Sequence, residues 1–375
     1  MVKPIAWLSS LILISSTTAA ISSTLGLPPV SIPKDNPQTD AKIKLGERLF
    51  HDIRFSADGQ VSCATCHDKA KGFTDNLKVS KGFNNLTGTR NAPTVINSAF
   101  YTSLFWDGRE PDLESQSKQP FVNPVEGGLH DHTPIIDVIQ NDPDYPQAFQ
   151  RVFNIGGEDI TIEHVAKAIA SFERTLVSGD SPFDRYNYAG DKSALTKAQV
   201  RGLAVFRNKG RCVSCHIIEQ TQALFTDNRF HNIGIGFKSI QGREAQTAAE
   251  MIKKKRRGAD VDVTVLTQAN MSELGRFAVS ENFTDIGAFK TPTLRNIAIT
   301  QPYMHDGSLQ TLEDVVDFYN NGGRVAVLDT LSDFLSGGIR PLDLNEQEKK
   351  DLVAFLKALT SPEHAPQTHQ ARKTP

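Results

Sequence analysis

Apolar residues recur at helical spacing in four stretches of the chain, and long irregular segments separate them. The stretches are 43–50, 162–176, 200–206 and 345–359, and in each the apolar side chains fall on one side of a helix. Few segments alternate apolar and polar residues as a strand does. The pattern therefore predicts a mainly α fold with long loops.

The helices at 43–50 and 200–206 are each followed by a loop and then by the same short motif. Both copies read Cys-x-x-Cys-His, at Cys63-Ala64-Thr65-Cys66-His67 and at Cys212-Val213-Ser214-Cys215-His216. A helix, a loop and a motif in the same order twice along one chain predict an internal duplication.

The repeated motif is the attachment signature of a c-type haem. Two thiols bind one macrocycle covalently, and the adjacent histidine ligates its iron. The chain has four cysteines, and the two motifs use all of them. We therefore expect two covalently bound haem c groups, held by Cys63, Cys66, Cys212 and Cys215, with His67 and His216 as iron ligands. The fold expectation becomes two cytochrome c-like haem domains.

Turn and proline content divide the chain further. We expect an extended, poorly ordered leader at 24–39, where four prolines lie, and a disordered polar tail at 361–375. Between them we expect an N-terminal domain at 40–185 and a C-terminal domain at 190–360. The turn-rich segment 178–192 is the expected link.

Residues 1–23 resemble a secretory signal. Lys3 is the only charge, 5–14 is mostly apolar, and Thr18-Ala19-Ala20 supplies small residues for cleavage. The alternative is an ordinary buried helix. Because bacteria attach c-type haem outside the cytoplasm, we expect a periplasmic protein. The net charge of −2 gives no reason to expect nucleic acid binding, and no transmembrane segment is expected in the mature protein.

Four further segments have specific sequences: 90–95 (Arg-Asn-Ala-Pro-Thr-Val), 105–109 (Phe-Trp-Asp-Gly-Arg), 123–126 (Asn-Pro-Val-Glu) and 302–307 (Pro-Tyr-Met-His-Asp-Gly). With the haem motifs, they make residues from about 40 to 360 resemble the bacterial dihaem cytochrome c peroxidases and their MauG-type relatives. In that family peroxide reacts at the N-terminal haem, and the C-terminal haem relays or stores electrons.

The resemblance implies roles for four residues of the first half. Trp106 would bridge the haems, and Gln116, Pro120 and Glu126 would lie over the peroxide-binding face. Breaking the peroxide O–O bond requires a side chain that moves a proton from the inner to the outer oxygen, and Glu126 can do this. The alternatives are a core tryptophan and a carboxylate that caps a turn before Gly127.

The loop 79–85 contains no histidine, although many of the peroxidases have one there as a second iron ligand. Phe83 stands at the corresponding place. We therefore expect the first haem to be five-coordinate or to hold only water. His130 and His132 are the nearest substitutes, and we expect them to be surface residues instead.

The resemblance also implies an outer ligand for the second haem and a calcium site. Tyr319 matches the ligand position, where the peroxidases have methionine and the MauG-type proteins tyrosine, and Met304 is the rival ligand. Asn91, Thr300 and Pro302 match a calcium site that joins the two halves through oxygen ligands.

The sequence thus predicts an exported dihaem oxidoreductase that reacts with hydrogen peroxide. As a peroxidase it would take electrons from a small periplasmic cytochrome c or cupredoxin; as a MauG-type enzyme it would oxidise a protein substrate. The alternative, from another functional class, is a non-catalytic dihaem electron-transfer cytochrome.

Overall fold

The computed structural model describes residues 24–323 and 334–365, and it consists of helices joined by long irregular segments. The predicted signal peptide at 1–23 and the predicted tail from 366 onward lie outside the described residues. In the described part, a two-stranded antiparallel pair joins β1 (Phe230–His231) to β2 (Phe289–Lys290). The mainly α fold is confirmed.

The helices that precede β1 in the chain belong to both halves, and they run up to the turn that carries the second motif. They are α1 (Asp40–Phe50), α2 (Cys63–Cys66), α3 (Leu113–Gln116), α4 (Gln119–Val122), α5 (Thr133–Asn141), α6 (Tyr145–Phe153), α7 (Ile162–Glu173), α8 (Pro182–Tyr188) and α9 (Lys197–Arg207). The later helices are α10 (Glu244–Arg256), α11 (Val261–Thr267), α12 (Ala269–Ser272), α13 (Phe277–Ser280), α14 (Leu312–Asn320) and α15 (Glu346–Lys357).

Helix α1 crosses α7 in the first half at very close range. The Thr39 side chain caps α1 by accepting from the Lys42 N–H, and the helix buries Leu45 and Leu49. At the crossing stands Gly46, where a Cβ atom would lie 1.9 Å from the Ala168 carbonyl oxygen. The crossing therefore requires glycine.

Helix α9 crosses α15 in the second half in the same way. A Cβ atom at Gly202 would lie 1.9 Å from the Asp351 carbonyl oxygen, and Phe355 packs beside it as Phe172 does beside Gly46. Both crossings join the helix before a haem motif to the last helix of its half. They are what a duplicated unit predicts, and the duplication itself stays a prediction.

The predicted link at 178–192 contains α8, and this helix belongs to the second half. Phe183 is fully buried in the C-terminal core, where its ring packs edge-on against Phe225 and Phe355. Asp184, also buried, pairs with Arg295 at 2.8 Å. Tyr186 and Tyr188 of α8 pack against the same core, and the expected domain end at 185 stays a prediction.

The leader at 24–39 has no regular helix or strand, as expected, but it is not loose. The carbonyl of Gly26 accepts hydrogen bonds from Arg295 and from the Ala223 N–H in the second half. Asn36 is buried and donates to Glu114 and to the Lys167 carbonyl in the first half. The leader is therefore hydrogen-bonded to both halves of the protein.

The start of the expected tail is packed too. Ser361 is buried, and its N–H donates to Asn296 at 2.9 Å. Residues 362–364 form a short 3-10 turn. No helix in the described part of the chain is long and apolar enough to cross a membrane.

Helices α10 to α13 form a separate small core that the sequence pattern did not indicate. Its buried residues include Phe237, Met251, Leu266 and Phe277, and Val125 of the first half packs against it. The small core of α10 to α13 thus contacts the first half at Val125.

Candidate haem and peroxide site

The first motif forms α2, and its histidine is held in one orientation. The Ser62 and Thr65 side chains cap the helix, and His67 follows its last residue. Nδ1 of His67 lies 3.1 Å from the Phe73 carbonyl oxygen. Because a carbonyl only accepts, we assign the proton to Nδ1, which leaves Nε2 for iron.

The second motif has the same arrangement. Nδ1 of His216 lies 2.8 Å from the Phe225 carbonyl oxygen. Phe73 and Phe225 both have positive φ, and each begins the tetrapeptide Phe-Thr-Asp-Asn. Burial lowers the pKa of both His67 and His216, so both imidazoles stay neutral and able to bind metal.

A large cavity of about 1560 Å³, including its opening to solvent, lies beside the first motif. Its walls bring together the motif and the residues assigned from the resemblance: Cys63, Cys66, His67, Asn91, Trp106, Gln116, Pro120 and Glu126. The structure therefore assembles these residues around one space.

The chemistry of the cavity walls fits a haem. Most of the wall is apolar, and four of its buried side-chain oxygens have no hydrogen-bond partner. They belong to Ser80, Ser98, Glu126 and Glu173. Buried polar atoms without partners are rare in folded proteins, and a bound group with polar edges accounts for them.

Glu126 lies on a tightly held loop. Its N–H donates to the Asn123 carbonyl at 3.1 Å, and its carbonyl accepts from the Phe83 N–H at 2.6 Å. Its Oε2 has no partner. Burial raises the pKa of Glu126 to about 8; the charge of Asp262 also raises it, and Arg109 opposes the shift.

Gln116 and Pro120 reach the cavity from two successive short helices. Gln116 ends α3, which the Asp112 side chain caps. Pro120 is in the first turn of α4, where it needs no N–H, and its carbonyl accepts from the Gly127 N–H at 2.8 Å. This bond ties Pro120 to the loop that carries Glu126.

Among the described residues that line this cavity, His67 is the only histidine. Phe83 lies against Gly128, where a Cβ atom would come 2.5 Å from the phenylalanine ring. The His130 side chain is fully exposed, as expected, while His132 is half-buried and bonded to the Lys118 carbonyl at 3.0 Å.

Trp106 lies where the two halves meet. Its Nε1 donates to the Asn91 carbonyl at 2.9 Å, and its own carbonyl accepts from the Lys290 N–H at 2.7 Å. Its ring meets the His305 ring edge-on, with 6.5 Å between centres. His305 in turn stacks on Phe289 at 3.5 Å.

Several ionisable residues of the site were not predicted from the sequence. Arg90, Asp107, Arg109 and Asp262 form a buried chain of ion pairs beside Glu126. The Arg90 and Arg109 positions stand in recognised segments, but Asp262 lies 136 positions after Glu126 in a stretch without a motif.

Two further buried groups line the same cavity without a sequence signal. Burial lowers the pKa of Lys290 to about 7, and its Nζ donates to the Ser103 carbonyl at 2.6 Å. Burial also raises the pKa of Glu173 to about 8.

The second haem motif has Tyr319 of α14 nearby. Burial raises the pKa of this phenol, as do electrostatic interactions with Cys212 and Cys215. Met304, the rival, packs against the C-terminal core and has a positive φ. Both side chains therefore lie in the second half, and Tyr319 as the iron ligand stays a prediction.

Cys215, Asp227 and His231 offer ligand atoms within 4.8 Å of one another. Hydrogen bonds to Cys215 and then to Asp227 raise the pKa of His231 to about 9. Thioether formation at Cys215 would remove the sulfur as an anionic ligand. Because Cys215 belongs to the haem motif, we do not assign a separate metal site to this cluster.

The three residues assigned to calcium adjoin one another across the halves. The Asn91 N–H donates to the His305 carbonyl at 2.8 Å, which holds Asn91 against the segment 300–305. Within the described residues, no hydrogen bond is donated to the carbonyl oxygens of Thr300 or Pro302. Buried Asn76 Oδ1 is also without a partner, and Asn76 Nδ2 lies 3.5 Å from the Ile299 carbonyl. Oxygens of this kind fit a hard cation.

Comparison with known proteins identifies the family of the chain. The family model described as di-haem cytochrome c peroxidase matches residues 40–193. The cytochrome-c peroxidase IdrP1 of Pseudomonas sp. (strain SCT) is 38% identical over 340 residues, which are 90% of this chain and 85% of that protein. The chain belongs to the di-haem cytochrome c peroxidase family.

Other relatives of this family member include MauG-type proteins. The methylamine utilization protein MauG of Methylorubrum extorquens (strain AM1) is 37% identical over 327 residues, 87% of this chain and 80% of that protein. The crystal structure of a MauG-like protein associated with microbial copper homeostasis superposes with a TM-score of 0.73 at 33% identity, covering 91% and 95% of the chains. The chain is thus an oxidoreductase of the dihaem peroxidase type, and family membership implies two haem c groups.

Proposed function

We propose that this enzyme reduces hydrogen peroxide at the first haem and passes oxidising equivalents through Trp106 to the second haem. The observation that carries the proposal is the cavity in which His67 shares the walls with Gln116, Pro120 and the unpartnered carboxyl of Glu126. A passive electron carrier has no use for an open face lined by a proton-transfer group.

In the proposed reaction, ionised Glu126 accepts a proton from the inner peroxide oxygen and returns it to the outer oxygen, which leaves as water. Gln116 orients peroxide without adding charge, and Pro120 narrows the cavity. When bound, haem supplies the iron that binds peroxide and takes up the oxidising equivalents. Reduction to two waters consumes two electrons and two protons in total.

A short route supports the transfer from Trp106 toward the second motif. The Trp106 carbonyl accepts the N–H of Lys290 in β2, and β2 pairs with β1, where Phe289 faces His231. A ring nitrogen of His231 lies within 4.8 Å of the Cys215 sulfur. Two strands thus link the indole to the second attachment site.

We favour a MauG-type enzyme, which oxidises a protein substrate, over a peroxidase that takes electrons from a small cytochrome c or cupredoxin. Two features support this choice. Phe83 stands where many of the peroxidases have a blocking histidine, and Tyr319 would be the outer ligand of the second haem. A phenolate stabilises ferric and higher-valent iron, which suits a site that holds oxidising equivalents.

Export and calcium complete the proposal. We place the protein in the periplasm, because c-type haem attachment takes place there. Asn91, Thr300 and Pro302 would hold one calcium ion, and because the Asn91 carbonyl also accepts from Trp106, the ion would steady the indole. Metal analysis of the dialysed holoprotein tests this: about one calcium per chain is expected, and the Asn91→Ala variant should contain none.

Adding one equivalent of peroxide to the ferric holoprotein distinguishes the three hypotheses. A MauG-type enzyme should consume the peroxide stoichiometrically and show a long-lived change in the optical spectra of both haems. A peroxidase would show a change that a small reduced cytochrome reverses rapidly. An electron-transfer cytochrome would leave peroxide and spectrum unchanged, and this result would refute the proposed function.

A further inference from the structure

We propose that Asp262, a residue of the C-terminal half, is a positioning residue of the peroxide site: it anchors Asn123 and Arg109, and through them it sets the position and protonation of Glu126. The inference rests on the proposed function for the role of Glu126 in peroxide chemistry. It adds that the peroxide site is complete only when both halves are docked.

Asp262 uses both carboxylate oxygens on residues of the first half. Its Oδ1 accepts from Arg109, at 2.8 Å from Nε and 2.5 Å from Nη2. Its Oδ2 accepts from Asn123 Nδ2 at 2.5 Å. The side chains of Asp262 and Arg109 are only 7% and 6% exposed. These are charge-assisted bonds in a site that excludes water.

Asn123 transmits this anchor to the catalytic loop. Its side-chain Oδ1 accepts from the Val125 N–H at 3.1 Å. Its backbone carbonyl accepts from the N–H groups of Glu126 and Gly128, at 3.1 and 2.9 Å. Asp262 therefore holds Asn123 in place, and Asn123 in turn holds the loop that carries Glu126.

Asp262 also balances the charge around Glu126. Arg90, Asp107, Arg109 and Asp262 alternate in sign along one buried chain of ion pairs, so the four together are neutral. Ionisation of Glu126 adds a negative charge with no partner. Without the charge of Asp262, Arg109 would carry an unbalanced positive charge that favours the ionised form of Glu126.

Four of the described residues interact electrostatically with Glu126. They are Asp262 and Arg109, with Cys63 and Cys66 of α2. Both cysteines are uncharged once joined to haem as thioethers. The balance at Glu126 therefore depends on the Arg109–Asp262 pair.

Helix α11 reaches the cavity at other points as well. Leu266, four residues after Asp262, lines the cavity wall. Thr89 Oγ1 of the first half donates to the Val265 carbonyl at 2.7 Å. The second half thus closes this side of the cavity.

The test titrates Glu126 in the ferric holoprotein by infrared spectroscopy. The carbonyl band of its protonated carboxyl is identified by its absence in Glu126→Gln. In Asp262→Asn we expect the midpoint to fall by at least about one pH unit, a tenfold change in the ionised fraction. In Arg109→Gln, which leaves Asp262 unbalanced, the midpoint should rise.

Asp260→Asn is the matched control. Asp260 is exposed and caps the same helix. Its replacement by asparagine removes the same charge as Asp262→Asn does, and asparagine caps a helix equally well. Its midpoint should equal that of the unaltered protein. The inference is overturned if Asp262→Asn and Arg109→Gln shift the midpoint in the same direction, or if Asp262→Asn behaves as Asp260→Asn does. Because the band reports protonation without peroxide, failure of the proposed peroxide chemistry would be seen separately, as an unreactive first haem.

Discussion

The indole of Trp106 meets the imidazole of His305 edge-on, with 6.5 Å between ring centres. The two residues occupy equivalent places in the two halves. An isolated antiparallel bridge closes each surrounding loop, Leu104 with Glu110 and Tyr303 with Leu309. Corresponding loops of the two haem units therefore touch at the interface, and their aromatic residues form the contact.

Trp106→Phe should slow transfer between the haems about tenfold or more, which is at least about 1.4 kcal/mol in the barrier. The phenyl ring keeps part of the packing but loses the hydrogen bond to the Asn91 carbonyl. The measurement is the rate at which the reduced second haem is oxidised after rapid mixing with peroxide. Phe283→Leu, at an exposed aromatic residue, serves as the control. An unchanged rate in Trp106→Phe would exclude the indole from the route.

Glu126→Gln should slow the reaction with peroxide by about 10²- to 10⁴-fold and remove its pH dependence. The pKa of Glu126 is raised to about 8, so the ionised base is scarce at neutral pH. In the unaltered protein the rate should therefore rise with pH and level off above about 8. Stopped-flow mixing with peroxide measures the reaction rate at pH values from 6 to 9, spaced roughly one unit apart.

Glu173→Gln is the control for that experiment. Glu173 lines the same cavity, has an unpartnered Oε2, and has a pKa raised to about 8 by burial. Its variant should keep the pH dependence. If both variants lose the reaction equally, a specific proton-transfer role for Glu126 is ruled out.

Asp184→Asn should lower the free energy of unfolding by about 3–5 kcal/mol, because it leaves buried Arg295 without its counter-charge. Arg295 also holds the leader through the Gly26 carbonyl. Asp180→Asn breaks a neighbouring pair with Arg185 that is nearly half exposed, and its cost should stay below about 1 kcal/mol. Denaturant unfolding of the two variant holoproteins measures both losses of free energy. Equal losses would show that the buried pair stabilises the fold no more than the exposed pair.

Tyr319→Phe should change the optical spectrum of the second haem and raise its midpoint potential, since it removes an anionic ligand. Burial raises the pKa of Tyr319, so only bonding to iron would draw off its proton. Met304→Leu should leave spectrum and potential unchanged. The opposite pair of results would identify Met304 as the ligand.

Helical periodicity predicted α1, α7, α9 and α15 to within a few residues, because each buries one apolar face. It missed α8 inside the predicted link, since Phe183 is buried by tertiary contacts that a helix of seven residues does not reveal by periodicity. The small core of α10 to α13 was missed for the same reason.

The motifs located residues that line the cavity beside His67, because local sequence fixes the loops that hold Trp106, Gln116 and Glu126. Asp262 could not be found in this way, since its partners are more than 130 positions distant. One available signal was overlooked. The tetrapeptide Phe-Thr-Asp-Asn occurs after both motifs, at 73–76 and 225–228, and it marks the carbonyl that orients each histidine.

The proposed peroxide chemistry requires a first haem with an open reactive face. Electron paramagnetic resonance of the resting ferric holoprotein measures the spin state of each haem. We expect a high-spin signal from the first haem, with His67 as its only protein ligand, beside a second haem with two protein ligands. Low-spin bis-histidine signals from both haems would contradict it.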